Sequence, residues 1–342
     1  MRYPEFLKPG GTVYFVAPSF GLADESGREG MERNKRRLES EGYRVVLGPN
    51  VFRDDGVGIS SKPENCAQEL TDAWLSEDPG VLVSVSGGEL MCDVIERLDW
   101  EKIRAGRPKW YMGFSDNTNM TFLLTTLCDT ASVYGPNGGS YGAETLYPSL
   151  LDAAAVLKGE KTEVHSYGEW QMIARSIDGG WPKKLGIFPD HKLVLHNYPE
   201  NDMKFSGRLL GGCIDILNVL LGTEYDRVSE FLEKYKEDGF IWFLESCDLT
   251  VLQIRRSLWQ MKHAGWFKYA KGFLIGRPMI FGESILGVDQ YNAVTDMLGD
   301  LDVPIVMDAD IGHLPPAMPL ITGCFADAEV HGNDLRVKMT LR

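Results

Sequence analysis

The sequence predicts an α/β protein with two lobes: an N-terminal parallel-sheet domain of flavodoxin or Rossmann type, and a C-terminal α/β domain with a mixed sheet. Short apolar runs alternate with longer amphipathic runs in the first half, which is the rhythm of βαβ units. Runs such as Val81-Leu82-Val83 are apolar on both faces, as buried parallel strands are. The 342 residues, 44% of them hydrophobic, suffice for two domains of ordinary size.

The alternation fails in the middle of the chain, and this divides it. From residue 159 to about 201 the sequence is rich in Gly, Pro, Trp and charge, a composition typical of linkers and binding loops. We therefore predict an N-terminal α/β domain over residues 1–160, a linker with an aromatic substrate loop over 161–206, and a C-terminal domain over 207–342.

Within the first domain, Ser61-Lys62-Pro63-Glu64 has the pattern of a capping box with proline in the first helical turn. We place strands at 12–17, 44–47, 81–85 and 110–112, with helices at 26–41, from 63 onward, and at 117–128. In the second domain we place strands at 240–244, 272–275 and 304–307, helices ending at 221 and spanning 228–236, 249–264 and 284–298, and a final hairpin of 326–330 with 336–341, turned at His331-Gly332-Asn333-Asp334.

Charge and targeting signals exclude several classes of function. The 35 Lys and Arg against 49 Asp and Glu give a net charge of −14, which disfavours nucleic-acid polymers and anionic membranes as partners. No apolar run reaches the ~18 residues that a membrane span requires, and the N-terminus lacks a signal-peptide pattern, so we expect a cytoplasmic protein. The six cysteines show no C-x-x-C spacing, which favours buried free thiols over disulfides or a zinc site.

Ser115 is the candidate nucleophile. It follows the apolar run Trp110-Tyr111-Met112 and Gly113-Phe114, and a helix-starting pattern comes directly after it. A sharp strand-to-helix turn exposes a serine hydroxyl and gathers backbone N–H groups at the positive end of the helix. An ordinary N-cap formed by Ser115-Asp116 is the alternative interpretation.

A serine nucleophile needs a base, usually histidine, and the base needs an orienting carboxylate. His313 follows an apolar strand at its C-terminal end, and Glu245 does the same, at the edge where ligand sites of α/β sheets collect. The order Ser115, Glu245, His313 matches the nucleophile, acid and base order of α/β-hydrolases. For Glu245 the alternative is a position near a helix N-cap.

The Gly87-Gly88 turn after the strand at 81–85 is the candidate oxyanion hole. We predict that the backbone N–H groups of Gly88 and Asp116 donate to the oxyanion. A tight turn without function is the alternative. The turn lacks the G-x-G-x-x-G spacing of a dinucleotide site.

Together these motifs resemble the LD-carboxypeptidase family, which includes the microcin C immunity peptidases. The resemblance spans nearly the whole chain, and it rests on Ser86-Gly87-Gly88, Gly113-Phe114-Ser115-Asp116, Gly211-Gly212, Leu244-Glu245 before the arginines at 255 and 256, and Gly312-His313 with its trailing prolines.

The resemblance implies a serine peptidase in which Ser115 is the nucleophile, His313 the general base and acid, and Glu245 the group that orients the imidazole. The nucleophile would come from one lobe and its partners from the other, with the active site in a cleft. It implies no metal or organic cofactor, and a cytoplasmic, often homodimeric protein. The chain departs from its relatives at Cys213, where Asn is common, and at Glu89, where relatives vary.

The family divides by substrate. LD-carboxypeptidases release the terminal D-alanine of a murein tetrapeptide, whereas the immunity branch cuts the amide that joins a peptidyl or aminoacyl group to a modified nucleotide. Trp170 and Trp181 offer a stacking surface for a nucleobase, and Glu89 is a further candidate substrate contact. This loop and the chain length favour the immunity branch, although the aromatics would equally pin a loop to the domain surface.

Two hypotheses of other classes stay open from the residues alone. Asp308, Asp310 and His313 have side chains suited to a divalent ion, so a metal-dependent hydrolase is one. A two-lobed small-molecule binding protein, with the aromatic loop as a lid, is the other.

Overall fold

The computed structural model describes residues 1–78, 80–174, 183–188, 192–198 and 202–342. The chain divides into two compact units: unit 1 comprises residues 1–162 and 319–323, and unit 2 comprises residues 163–318 and 324–342. The segment 319–323, placed by sequence in the C-terminal domain, belongs to unit 1 because it adds a strand to the sheet of that unit.

Strands and helices alternate along the first part of the chain, as in other α/β proteins. The first part contains β1 (Thr12–Val16), α1 (Glu25–Ser40), β2 (Arg44–Leu47), α2 (Pro63–Leu75), β3 (Gly80–Ser84), α3 (Cys92–Ile95), α4 (Trp100–Ala105), β4 (Tyr111–Gly113), a 3-10 turn (Ser115–Asn117), α5 (Thr118–Thr126), β5 (Ser132–Tyr134), a 3-10 turn (Gly138–Gly142), α6 (Pro148–Lys158) and β6 (Glu163–His165).

The predicted linker region is itself partly built of strands. The rest of the chain contains β7 (Trp170–Ala174), β8 (Lys183–Phe188), β9 (Val194–His196), β10 (Asp202–Cys213), α7 (Ile214–Leu220), α8 (Val228–Lys234), β11 (Phe240–Glu245), α9 (Val251–His263), β12 (Ala270–Gly276), β13 (Ser284–Ile285), β14 (Val288–Asp289), α10 (Asn292–Leu298), a 3-10 turn (Gly299–Leu301), β15 (Ile305–Ala309), β16 (Leu320–Thr322), β17 (Phe325–His331) and β18 (Asp334–Thr340).

Unit 1 is built around a six-stranded sheet in the order β16-β5-β4-β3-β1-β2, as far as the described residues show. The five strands from β5 to β2 are mutually parallel, and β16 pairs antiparallel with β5. The order 2-1-3-4-5 is that of flavodoxin-like folds, which confirms the predicted class. Ligand sites of such sheets lie at the carboxyl ends of the strands, and the segments after β3 and β4 are there.

Unit 2 contains an eight-stranded sheet in the order β6-β18-β17-β10-β11-β12-β15-β9 within its described residues. Its centre, β10-β11-β12-β15, is parallel, and the flanking pairs are antiparallel. The mixed sheet and the β17–β18 hairpin are therefore confirmed. Every residue of β11 is buried, including Glu245 at the carboxyl end of the strand.

Two local predictions are wrong. The capping box at 61–64 is absent, because the N-cap of α2 is Lys62, and the Ser61 hydroxyl instead accepts a hydrogen bond from Asn65 Nδ2 at 3.1 Å. The helix expected over 284–298 begins only at Asn292, because Leu286 and Gly287 have φ values of 54° and 80°, the conformation of a hairpin turn. The helix expected from residue 117 is confirmed; it begins at Thr118, directly after a 3-10 turn that starts at Ser115.

All six cysteines are free thiols; four of them are buried, and Cys92 and Cys247 are partly exposed. No helix within the described ranges combines the length and the apolar character needed to cross a bilayer.

Candidate active site

Ser115 is the first residue of the 3-10 turn that follows β4, and its backbone is strained. Phe114 is extended, with φ −143° and ψ −177°, and Ser115 has a φ of 65°, a left-handed conformation that costs a non-glycine residue about 1–3 kcal/mol. The N-cap of the 3-10 turn is Phe114, not Ser115, so the ordinary N-cap interpretation is wrong. Strain at a serine between strand and helix is the geometry of a nucleophile elbow.

The turn after β3 lies against Ser115. A side chain at Gly87 would place its Cβ 3.2 Å from both Cβ and Oγ of Ser115, so glycine keeps this approach open. The turn is held in place because Phe20 N–H donates to Gly87 O at 2.8 Å and Glu89 N–H donates to Gly58 O at 3.0 Å. Gly88, a predicted oxyanion donor, lies between these two anchored peptides.

Asp116 ties the elbow to two neighbouring loops. Its side chain is 1% exposed; Oδ2 accepts from Ser19 Oγ at 2.5 Å and from Met91 N–H at 3.1 Å. Burial raises the pKa of Asp116 to about 6, although these hydrogen bonds oppose the rise. Its backbone N–H belongs to the first turn of a helix, where peptide donors have no intrahelical acceptor, as an oxyanion donor requires.

Glu245 and His313 form a pair in unit 2. Glu245 is the last residue of β11, His313 follows β15, and Glu245 Oε2 lies 2.7 Å from His313 Nδ1. The side chain of Glu245 is fully buried and that of His313 is 13% exposed. Because an ionised carboxylate only accepts hydrogen bonds, the proton is on Nδ1. Neutral His313 therefore presents the lone pair of Nε2, which is the tautomer that a general base needs.

Glycine at 312 allows this pair to form. Gly312 has a φ of +98°, and a Cβ there would lie 2.7 Å from both Cβ and Cδ of Glu245, nearer than any real Cβ contact. The Gly-His pair is thus a steric requirement of the carboxylate–imidazole contact. The helix-cap interpretation of Glu245 is wrong, because α9 begins six residues later and is capped by Thr250.

The pair changes the protonation of His313. Burial by itself lowers the pKa of His313, but the Glu245 carboxylate and the Cys247 thiol outweigh burial and hold that pKa well above 6.5. A raised pKa stabilises the imidazolium, the state in which a general base holds the proton of a serine.

Two further groups stand beside the pair, and the sequence patterns did not single them out for this position. Cys213 is the register partner of Glu245 across β10 and β11, and Sγ of Cys213 donates to Asp215 Oδ2 at 3.3 Å. Asp215 also accepts from the backbone N–H groups of Cys247 and Asp248, at 3.1 and 2.7 Å. Only the β10–β11 register, which no sequence motif encodes, brings Cys213 to Glu245.

Asp308 and Asp310 have structural partners of their own. Tyr291 Oη donates to Asp308 Oδ2 at 2.7 Å, and the buried Arg277 guanidinium forms an ion pair with Asp310. Among the described residues the one group of three metal-type ligands is Cys213, Glu245 and His313. It differs from Asp308, Asp310 and His313, the set that the alternative metal hypothesis named.

The candidate substrate contacts are in different surroundings. Trp170 is 6% exposed, and its ring packs against Phe188 and Phe281, both at 4.8 Å between centroids. A nucleobase would have to displace one of these rings to stack on Trp170. Trp181 lies outside the described residues. Glu89 is exposed on the turn after β3 in unit 1.

Comparison with known proteins places the chain among peptidases. The YocD protein of Bacillus subtilis is 26% identical over 92% of this chain and 92% of its own length. The microcin C7 self-immunity protein MccF of Escherichia coli is 24% identical over 93% of this chain and 90% of its own. A murein tetrapeptide carboxypeptidase of Pseudomonas aeruginosa is 22% identical over 73% of this chain and 71% of its own.

Solved structures share the fold. An MccF-like protein from Bacillus anthracis superposes with a TM-score of 0.82 at 22% identity, covering 100% of both chains. MccF in complex with aspartyl sulfamoyl adenosine has a TM-score of 0.78 at 21% identity, covering 99% of both chains.

Domain families match most of the sequence in the expected order. The LD-carboxypeptidase N-terminal domain matches residues 13–135, and the LD-carboxypeptidase C-terminal domain matches residues 206–327. The chain therefore belongs to the LD-carboxypeptidase family and is a hydrolase of the peptidase type.

Proposed function

We propose that this hydrolase cleaves an amide bond through an acyl-enzyme, with Ser115 as nucleophile, His313 as general base and acid, and Glu245 as the group that orients His313. The observation that carries the proposal is the buried 2.7 Å contact between Glu245 and His313, because a carboxylate held on Nδ1 fixes the base tautomer that serine catalysis uses. The strained turn at Ser115 is an independent feature with the same implication.

In the proposed reaction, His313 Nε2 takes the Ser115 hydroxyl proton as Oγ attacks the substrate carbonyl. The backbone N–H groups of Gly88 and Asp116 donate to the oxyanion of the tetrahedral intermediate. His313 then protonates the leaving amine, and the C–N bond breaks. A water molecule, deprotonated by His313, hydrolyses the ester on Ser115 and regenerates the enzyme. These steps need no metal and no organic cofactor.

We propose an aminoacyl or peptidyl nucleotide as the substrate class. MccF and a probable murein peptide carboxypeptidase of Bacillus subtilis each match more than nine tenths of the chain, so the support for the nucleotide class comes from the ligand of a solved MccF structure. One MccF structure holds an aspartyl sulfamoyl adenosine, a stable analogue of such a nucleotide. Glu89, Trp170 and Trp181 are the proposed substrate contacts; base stacking on Trp170 requires its aromatic cluster to open. A murein tetrapeptide is the second candidate, because a relative with that activity is also present.

We further propose that the protein works in the cytoplasm as a homodimer, by analogy with the family. Analytical ultracentrifugation of the purified full chain tests the dimer. A single species at the monomer mass of 38.2 kDa would contradict it.

The test of the function is a mass-spectrometric assay on a murein tetrapeptide and on an aminoacyl sulfamoyl adenosine, with wild type and Ser115→Ala. We expect cleavage of the nucleoside analogue by wild type and none by Ser115→Ala, because the nucleophile is gone. Ser149→Ala, which alters another buried serine of unit 1, is the matched control and should retain activity.

The alternatives give different results in the same assay. Ser115-dependent release of D-alanine alone would assign the chain to the murein branch. Near-wild-type turnover by Ser115→Ala would show that the serine mechanism is wrong.

A further inference from the structure

We propose that Cys213, Glu245 and His313 form a binding site for a thiophilic divalent cation, with Zn²⁺ as the physiological candidate, and that occupation of this site switches the hydrolase off. The switching part rests on the proposed function, whereas the binding part does not.

The three ligand atoms are already close. One donor atom from each of the three side chains lies within 4.8 Å of the other two. Ligand atoms around a tetrahedral ion at ~2.0–2.3 Å are about 3.3–3.7 Å apart. Donor atoms at the 4.8 Å limit would therefore have to approach, whereas the 2.7 Å contact between Glu245 Oε2 and His313 Nδ1 would have to open slightly for both to bind one ion. Cys213 and Glu245 are buried and His313 is half-buried, which keeps competing water away and leaves access from the His313 side.

The backbone brings these side chains to one place. Cys213 and Glu245 are opposite each other in the parallel β10–β11 pair, and side chains of register partners leave a sheet on the same face. Both residues end their strands, and His313 follows β15 at the same carboxyl edge. The donors therefore come from three separate chain segments, and two of them are on sheet strands, the rigid kind of support that metal sites need.

The chemistry of the donors selects the ion. A thiolate, an imidazole and a carboxylate are the ligand types of zinc sites, and three protein ligands leave the fourth position for water. Mg²⁺ and Ca²⁺ prefer oxygen ligands and would gain little from Cys213. Asp215 lies 3.3 Å from the Cys213 sulfur, so a second carboxylate adds negative charge beside a dication. Binding releases the Cys213 thiol proton. Where the ion takes Nδ1 of neutral His313, the proton on that nitrogen moves to Nε2, which then has no lone pair to accept the Ser115 proton.

Binding is incompatible with base catalysis. The ion would take the carboxylate oxygen and an imidazole nitrogen that the proposed mechanism uses to orient His313. With this contact replaced by metal bonds, His313 could not accept the Ser115 proton. The cysteine at 213 thus makes the hydrolase sensitive to zinc, a property that an amide side chain at this position would not confer.

The first experiment titrates the metal-free full chain with Cd²⁺ and follows the ultraviolet charge-transfer band of a thiolate–cadmium bond. We expect one equivalent to produce the band in wild type, and Cys213→Ser to abolish it. Cys324→Ser is the matched control, because Cys324 is also buried in unit 2 but lies near Arg208 rather than carboxylates; it should keep the band. No band in wild type, or a full band in Cys213→Ser, would overturn the proposal.

A second variant covers the case in which Cys213→Ser does not fold. Zn²⁺ affinity is measured by competition with a chromogenic chelator for wild type and His313→Gln, with circular dichroism as the check on folding. Because loss of a group outside the ligand set already weakens metal binding about 10–100-fold, loss of the His313 ligand should cost more than about 100-fold. Equal affinities would refute the site.

The inhibition arm separates this proposal from the proposed function. Zn²⁺ should suppress Ser115-dependent cleavage in wild type, a chelator should restore it, and Cys213→Ser should keep its own rate when Zn²⁺ is added. A cadmium band without any hydrolysis would leave the metal site standing and refute the function. Hydrolysis that Zn²⁺ does not touch would refute the switch.

Discussion

Replacing Glu245 by glutamine isolates the negative charge that faces His313. The substitution keeps the shape of the side chain at the 2.7 Å contact with Nδ1 but removes the carboxylate that holds the proton there. An amide can meet the imidazole through its NH₂ group, which places the proton on Nε2 and gives the wrong tautomer. For the corresponding carboxylate-to-amide change in a Ser-His-Asp triad the loss of kcat is about 10⁴-fold.

The same size is expected here, because Glu245 is fully buried and no solvent competes at the contact. A 10⁴-fold loss corresponds to about 5 kcal/mol of transition-state stabilisation at about 1.36 kcal/mol for each factor of ten. The assay is kcat on the substrate that wild type cleaves, with Ser115→Ala as the baseline and circular dichroism as the check on folding.

Glu69→Gln is the matched control. Glu69 is also a buried carboxylate, and it accepts the backbone N–H groups of Ala17 and Asn50, both at 2.9 Å. Its replacement should lower the free energy of unfolding by about 1–3 kcal/mol and leave kcat within a few-fold of wild type. If Glu245→Gln kept kcat within about tenfold of wild type while folded, the assignment of Glu245 as the orienting group would be refuted.

Two further predictions concern backbone sterics and pH. Gly312→Ala should lower kcat by at least about 100-fold, because the new Cβ displaces Glu245. Gly332→Ala is the control: Gly332 also has a left-handed φ, +59°, but open space around it, so this variant should lose only stability. Equal kcat in the two variants would contradict the steric argument. The folded-state pKa of Asp116, about 6, lies above its ordinary value of 3.8, so its contribution to stability is fully present below pH 3.8 and is lost as pH rises through about 6. The difference in unfolding free energy between wild type and Asp116→Asn, measured by urea denaturation, should therefore shift by about 2 kcal/mol against wild type between pH 4 and 7. A difference that does not change with pH would contradict the buried ionisation.

Most helices and strands of both units could be predicted from the periodicity of apolar residues in the sequence. The alternation of apolar runs and amphipathic helices located, to within a few residues, seven of the nine parallel strands among the described residues and missed β5 and β10. Most of the located strands are buried on both faces, and such a strand must be apolar throughout. The error over residues 284–298 arose where turn geometry decided the outcome. The pair Leu286-Gly287 folds a short hairpin inside a stretch with helical periodicity, since local turn conformation outweighs helix propensity there.

The candidate site shows the same division. Ser115, Glu245 and His313 were selected as candidates because each follows an apolar strand, and ligand sites of α/β sheets lie at the carboxyl ends of parallel strands. Glu245 and His313 follow strands of the same sheet, β11 and β15. The role of Cys213 was not foreseen. Its proximity to Glu245 depends on the register of β10 against β11, and a slip of one residue would turn the sulfur to the opposite face.

The sequence by itself determined the α/β class and the family, because these depend on periodicity and on short motifs. It also placed the candidate residues Ser115, Glu245 and His313 after apolar strands. Only the tertiary structure decided that Glu245 meets His313 across 68 residues of sequence at 2.7 Å, that Trp170 is packed among aromatic rings, and that residues 319–323 pair with β5 in unit 1. The physical reason is that contacts between distant segments depend on strand register and on the space left by neighbouring side chains, and neither is written in any local stretch of sequence.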